Sequence, residues 1–415
     1  MYDAIIIGAG PAGLSLASEL SQKHKILVVE KGKIGVTEKS WGSGLDVMKK
    51  LNLEKCIVNK NISQLIFKHY LGSTWLFEDD YCQLDEKKLL NEFVKRCNKK
   101  NTEFLEHTYI DKVNSKNNKI KIKIGNKEIS TRLLIDCSGA FSPIVKKYDL
   151  IDSYSSYPIL GYTLKDVKVD PHLFIWEIMK TPGYHEIMIG GIMPYSSRKA
   201  QVHVFPYLWN KTCNYSFLQK YLKDYLTYYP GLNSGKLVTK TFGTIKMGSL
   251  KKNSLDNVFF YGAAGLWTPR FAGTGFNMIL FTFQEVASKL SKLIVSNDLS
   301  EKKLSKIKNS ILEPKMVHFL KCLEKIVFSI RDNPDKMNEF LNMVGKSDPQ
   351  FGKYLLRSEF NLNSLKKSWD NIHKFFSVRE ILKILPKKDI MYLLELEMDL
   401  IEDTLIEKYK KILTK

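Results

Sequence analysis

The 415-residue chain is 44% hydrophobic and 26% charged, an ordinary globular mixture long enough for a large core and two or three structural units. Its formal charge of +20 is almost all lysine. The arginines, at 96, 132, 198, 270, 331, 357 and 379, form no cluster suited to phosphate forks or base edges, which argues against a nucleic-acid partner. The scattered lysines leave room for peripheral contact with an anionic membrane surface. The six cysteines show no CxxC pair and no metal-ligand spacing, so neither a metal nor a disulfide framework is expected. No apolar run approaches the roughly 20 residues of a membrane helix. The chain enters a strand by Ala4 with no signal-peptide pattern before it, and a cytoplasmic protein is the expectation.

In chain order, Ala4 to Ile7 is an apolar run suited to a buried parallel strand. Gly8, Gly10 and Gly13 then form GxGxxG, with Pro11 and Ala12 between them, at the entry to a helix. Gly8 permits a tight turn, Gly10 lets a pyrophosphate approach the backbone, and Gly13 lets the helix pack against the strand. The helix amides and dipole favour anionic phosphates. "KILVVE" is the second strand; Glu30 ends it, where an acid can take ribose hydroxyls, and Lys31 follows. This pattern predicts a Rossmann-like nucleotide site. A strand over Leu133–Ile135 leads into Asp136, Cys137, Ser138 and Gly139.

Between Tyr157 and Tyr207 short alternating bursts read as antiparallel strands, with "HEIMIGGIMPY" and "AQVHVFPY" joined by a turn. Phe174, Trp176, Tyr184, Tyr195, Phe205, Tyr207 and Trp209 crowd this region and suit a mostly apolar pocket for a large apolar substrate. "NVFFYGAAGLWTPRFAGTGFNMI", Asn257 to Ile279, runs from a strand into a Gly262–Ala263 turn. A second turn, Gly273–Thr274–Gly275, opens a long helix at Phe276, whose N-terminus would stabilise negative charge placed before it. Arg270 sits in the loop between, either facing that site or solvated. Beyond Ser300 the apolar spacing turns amphipathic and helical, with a helix start at Pro334. The basic, aromatic segment around Phe375 and Phe376 reads as a helical layer over the core or as a membrane-facing lid.

The strand ending in Asp136–Gly139 resembles the D-A-T-G strand of flavoprotein monooxygenases and their relatives. "DYCQLDEKKLLNEFVKRC", Asp80 to Cys97, resembles a helix entry of the lycopene cyclases and geranylgeranyl reductases. "GAAGLWTPRFAGTGF" is similar to a lycopene cyclase run in which Ala commonly stands where other flavoproteins carry Asp, as Ala263 does. The resemblance implies FAD held by Gly8, Gly10, Pro11, Ala12, Gly13, Glu30, Lys31, Asp136, Ser138, Gly139, Gly262, Ala263, Gly273, Thr274, Gly275 and Phe276. With no second GxGxxG, the reductant would be transiently bound NADPH, ferredoxin or another carrier.

Two departures stand out. The arginine that follows the family Asp is missing, since Asp85 precedes Glu86, then Lys87 and Lys88. The paired glutamates of the cyclases are missing too; His203 lies near the expected acid, with Glu186 or Glu177 as substitutes. Pro182–Gly183 resembles a reductase segment that would put Tyr184 or Glu186 near substrate, so His203, Glu186 and Tyr184 are the candidate catalytic residues.

The expected architecture is α/β: a discontinuous Rossmann-like FAD-binding domain (1–150 and 245–297), an antiparallel β substrate domain (151–244) and a C-terminal helical region (298–415). The expected activity is that of an FAD-dependent oxidoreductase on a large isoprenoid or polyene. The alternatives are a redox-neutral cyclase using reduced flavin and a monooxygenase of a small aromatic metabolite.

Overall fold

The computed structural model describes residues 1–110, 112–116, 119–124, 127–179, 188–206, 214–270, 272–312, 314–347, 356–358, 371–372 and 374–393. The chain opens with β1 (Tyr2–Ile7), α1 (Pro11–Leu20) and β2 (Ile26–Val29), then β3 (Gly42–Gly44), α2 (Leu45–Lys50), β4 (Ile57–His69) and β5 (Thr74–Leu84). Helix α3 (Glu86–Arg96) follows, capped by the Asp85 side chain, which accepts from Lys88 N at 2.9 Å. Next come β6 (Thr102–Leu105), β7 (Lys112–Lys116), β8 (Lys119–Ile124), β9 (Lys127–Asp136) and α4 (Pro143–Lys147).

A second run holds β10 (Ile151–Lys165), β11 (Leu173–Met179), β12 (Met188–Ser196), β13 (Lys199–Pro206), α5 (Tyr215–Tyr228) and β14 (Lys236–Leu250). The chain then returns through β15 (Ser254–Leu255), β16 (Val258–Phe260) and the long α6 (Gly275–Ser296). Helices α7 (Glu301–Ile311), α8 (Pro314–Ser329), α9 (Pro334–Ser347) and α10 (Val378–Ile384) complete the described elements, with a further helical turn over 387–393.

The first sheet has the order β15-β16-β9-β1-β2-β6, with β8 on β9 and β7 on β8. Strands β16, β9, β1, β2 and β6 run parallel, which requires both faces to be covered. Alternation along each strand does this. Ala4, Ile6, Val28, Leu133, Ile135 and Phe259 face a core built with α1, α3, α6 and α7, while Ile5, Leu27, Leu134, Val258 and Phe260 face the opposite way. Gly13 permits the α1 approach, because a Cβ there would lie 1.9 Å from the Gly8 carbonyl oxygen.

The second sheet has the order β14-β10-β13-β12-β11-β4-β5-β3 and is antiparallel except where β11 meets β4. Val202 and Val204 on β13 face α5, and Phe205 faces the C-terminal helices. The boundaries differ from the expected ones here. Segment 42–84 supplies β3, β4 and β5 to this sheet, although the sequence reading kept everything before 150 with the nucleotide unit. The register couples Leu173–Ile178 to Gln64–His69, pairs more than a hundred positions apart that no local pattern reveals.

Helices α8, α9 and α10 cover the second sheet through one apolar cluster that includes Phe319, Ile326, Phe340 and Ile381. Phe376 is buried in it and Phe375 packs against it, both rings in contact with Phe340, so these aromatics face the core. Among the described residues no helix is long and apolar enough to cross a membrane.

Candidate active site

The parallel strands end in one row. Ile7 lies opposite Val29 on one side and Asp136 on the other, and Asp136 lies opposite Phe260. The turns that follow β1, β2, β9 and β16 therefore leave the same carboxyl edge of the sheet, the position at which parallel α/β sheets bind nucleotides. Gly8–Gly13, Glu30, Asp136–Gly139 and Gly262–Ala263, dispersed over more than 250 positions, are brought together there.

The local geometry suits a dinucleotide. Gly8 has φ +94°, and a Cβ on it would come 2.5 Å from the Cys137 carbonyl oxygen, so β1 and β9 close against each other only with glycine. A Cβ on Gly10, in contrast, would meet no described atom within 4 Å. Helix α1 begins there with Pro11 at its first position, no side-chain cap and no acid in its first turn. Its amides are thus free to face phosphate. Glu30 is shaped from both sides: its carboxylate accepts from Ala9 N at 2.7 Å and from Gly32 N at 2.8 Å. Lys31 beside it is exposed.

Asp136 is fully buried and accepts from Ser138 N at 2.9 Å, Ser138 Oγ at 2.6 Å and the Ser142 hydroxyl. Burial raises its pKa against the pull of these donors, and its role here is to shape the turn. Gly139 has φ +95° with open space around it. Gly262 has φ +64°, and a Cβ on it would lie 2.8 Å from Ala12, so this turn touches the first one. Ala263 is half-buried in the same turn.

Helix α6 starts just beyond, with Thr274 as its N-cap residue and no acid in its first turn. Gly275 is required by contact, since a Cβ there would lie 2.4 Å from Thr268 Oγ1. Phe276 stacks on Trp41, centroids 5.0 Å apart at 7°. The Thr274 hydroxyl meets that of Ser358, and Asn277 Nδ2 donates to Leu356 O at 2.6 Å, so residues 356–358 cross the start of this helix.

A polar cluster escaped the sequence reading. Glu86, at the position of the missing family arginine, accepts from Tyr195 OH at 2.8 Å, from Trp41 N at 3.1 Å and from Gln83 Nε2 at 3.2 Å. Ser40 Oγ lies 2.9 Å from Tyr195 OH. Burial raises the Glu86 pKa above the usual carboxylate value, opposed by these hydrogen bonds. The departure from the family pattern at 86 was the visible signal; its partner 109 positions later was not.

The second sheet turns an aromatic face toward the C-terminal helices. Phe67 packs on Trp75 and on Trp176 at 5.5 Å, and Phe174 on Trp176 at 5.6 Å. Together with Phe77 and Leu356 these rings line an apolar cavity. His203 lies on the same face, stacked on Phe205, with Gly161 and Gly191 as its cross-strand neighbours. Burial pushes its pKa down to about 4, so it is a neutral imidazole at pH 7, a form unsuited to protonating an alkene. Glu177 lies with α5, taking the hydroxyl of Tyr229. Tyr184 and Glu186, like Tyr207 and Trp209, fall outside the described residues.

Arg270 does neither of the things expected of it. Its guanidinium donates to the buried Glu324 Oε2 at 2.7 Å and to the partly buried Ser153 Oγ at 2.7 Å, tying the loop before α6 to helix α8. Lys308 holds the same loop, donating to Gly265 O at 2.7 Å and Leu266 O at 3.2 Å, and burial lowers its pKa to about 7.

Known proteins place this geometry. The fold matches that of a geranylgeranyl bacteriochlorophyll reductase-like protein from Thermoplasma acidophilum, with a TM-score of 0.73 at 17% identity, over 92% of this chain and 98% of that one. A halogenase, PltM, solved with phloroglucinol and FAD, matches at a TM-score of 0.65 and 12% identity, over 95% and 91%. These likenesses establish the FAD-binding flavoprotein fold. Capsanthin/capsorubin synthase of Capsicum annuum is 27% identical over 150 residues, 36% of this chain and 30% of that enzyme. An uncharacterised protein of Methanocaldococcus jannaschii is 24% identical over 72% of this chain and 76% of its own length. The chain thus matches about a third of the length of the plant carotenoid enzymes. The family model for lycopene cyclase protein matches residues 3–344, and the chain belongs to that family.

Proposed function

We propose that this protein is an FAD-dependent enzyme acting on a long isoprenoid or polyene, with reduction of an isolated double bond as the leading reaction. The observation that carries the reading is the juxtaposition of two surfaces. The cradle at the carboxyl edge of the first sheet and the aromatic face of the second are bridged by residues 356–358, which touch both α6 and the cavity. Gly10 and the start of α1 would hold the pyrophosphate, Glu30 the ribose, and the start of α6 the flavin edge. When bound, FAD would supply the hydride for such a reduction.

The chain's own residues would do the rest. Phe67, Phe174 and Trp176 suit a chain of apolar carbons, whose burial is favourable by about 0.8 kcal/mol per CH₂. Saturating one double bond consumes one hydride and one proton. Glu86, whose pKa burial raises and whose carboxylate accepts from Tyr195 OH, is the candidate proton source. His203, held neutral, serves better as packing. The external reductant would be NADPH or ferredoxin.

Family membership favours a second reading, a redox-neutral cyclisation over reduced flavin. Incubation of the purified, FAD-loaded protein with geranylgeranyl and linear polyene substrates under dithionite separates the two. A product heavier by two hydrogens supports reduction. An unchanged mass with altered polyene absorbance supports cyclisation. No change in any isoprenoid substrate, from a protein that binds FAD, contradicts both.

A further inference from the structure

On helix α8, His318 and Cys322 stand four positions apart and so share one face. Asp389, in the helical turn over 387–393, faces them from another part of the chain. His318 Nε2, Cys322 Sγ and a carboxylate oxygen of Asp389 all lie within 4.8 Å of one another. Cys322 and Asp389 are fully buried, and the histidine side chain is 23% exposed.

Two atoms in this cluster are unexplained by the protein around them. His318 Nε2 and Asp389 Oδ1 are both buried, and among the described residues neither has a hydrogen-bond partner. They lie 3.3 Å apart without the alignment of a hydrogen bond. A buried polar atom left unsatisfied costs about 1–3 kcal/mol, and a missing ion or water is a standard explanation. The spacing distinguishes the two. A tetrahedral cation with bonds of about 2.0–2.1 Å to nitrogen and oxygen separates those ligands by about 3.3 Å. A water bridging them would need a separation well beyond that of one hydrogen bond.

We propose that His318, Cys322 and Asp389 form a binding site for a zinc-class divalent cation, which fastens helix α8 to the turn over 387–393. The imidazole, thiolate and carboxylate make a three-ligand set, with one water completing the tetrahedron. On binding, the Cys322 thiol releases its proton to solvent, and the thiolate and carboxylate balance the charge of the cation. Lys325 donates to the other carboxylate oxygen, Oδ2, at 2.6 Å. It thereby fixes the carboxylate and turns Oδ1 toward the cluster, the role that outer partners play at metal sites. Tyr392 holds the imidazole ring from one side, centroids 4.1 Å apart. The lysines near His318 (Lys321, Lys325 and Lys388) weaken cation binding, so a site of moderate affinity follows.

The consequence reaches the flavin cradle. Helix α8 also carries Glu324, the partner of Arg270 in the loop before α6. A cation at His318 and Cys322 would hold that helix, and with it the buried pair, against the sheet.

No cysteine pair marks this site in the sequence. The ligands here are a His-x-x-x-Cys on one helix and an acid 67 positions further on.

The test uses the full-length FAD-loaded protein, expressed with zinc and dialysed against metal-free buffer. Elemental analysis is expected to give about one zinc per chain. Cys322→Ser and Asp389→Asn are expected to lower that at least tenfold. Replacing zinc with cobalt is expected to give ligand-field bands to the red of the flavin, and a sulfur charge-transfer band absent from Cys322→Ser. Since either variant could disturb folding, the wild-type protein is also melted with and without chelator; removal of zinc is expected to lower Tm. A zinc-free wild-type protein overturns the proposal. So does zinc that persists in both variants, or cobalt spectra without a sulfur band.

Discussion

At the scale of single residues, the cradle depends on where a side chain cannot stand. Gly8 and Gly13 are fixed by backbone contacts within the protein, whereas Gly10 faces open space. Gly10→Glu is therefore tolerated by the fold but places a carboxylate where the pyrophosphate would sit. Retained thermal melting with FAD affinity reduced at least 100-fold is the expected result, measured by fluorescence titration. Glu86 gives a second residue-scale prediction. Its raised pKa means that its contribution to stability is present below 4.5 and is lost as pH rises through the folded value. Glu86→Gln keeps an acceptor for Trp41 N and Tyr195 OH without that loss. Tm of the variant relative to the wild type is expected to rise as pH increases above 4.5, which melting curves at several pH values would reveal.

Lys308 titrates with the opposite slope. In the unfolded chain the amine keeps its proton up to its ordinary pKa of 10.5, and in the folded protein only to about 7. The unfolded state therefore binds more protons between these values, and stability rises with pH across that window, by up to about 1.4 kcal/mol per pH unit. Lys308→Met is expected to flatten this part of the profile in urea unfolding. It also leaves the Gly265 and Leu266 carbonyls without their donor, so it is expected to be less stable than wild type at pH 9.

Elements are joined at this site by buried charge. The loop between β16 and α6 is held to α8 through Arg270 and Glu324 and to α7 through Lys308. Arg270→Met alone leaves Glu324 a buried charge without its cation and is expected to destabilise by about 3–5 kcal/mol. Changing both, Arg270→Met with Glu324→Leu, is expected to recover most of that loss, as a double-mutant cycle in urea would show. FAD affinity distinguishes position from mere stability. If the pair sets the loop, the double variant stays folded yet binds FAD more weakly.

Across the whole molecule, what the sequence made legible was local. The parallel strands, their glycine turns, Glu30, Asp136 and the start of α6 each follow from a short pattern whose physical reason is short-range. The family resemblance at Asp80–Cys97 and Asn257–Ile279 agreed with the same elements. What escaped was long-range: the pairing of β4 with β11, the contact of Glu86 with Tyr195, the turn of Arg270 toward Glu324, and the meeting of His318 and Cys322 with Asp389. Each joins residues whose own neighbourhoods give no hint of the partner. His203 is identified by its position in a strand, while its chemistry is decided by the burial around it.

The central claim is that turns from four strands form one FAD cradle. Titrating the purified protein with FAD, followed by the visible spectrum and by flavin content after gel filtration, tests it most directly. About one FAD per chain for the wild type, lost in the folded Gly10→Glu variant, is the predicted result. A folded wild-type protein that retains no FAD, or a Gly10→Glu variant that retains it fully, would contradict the account.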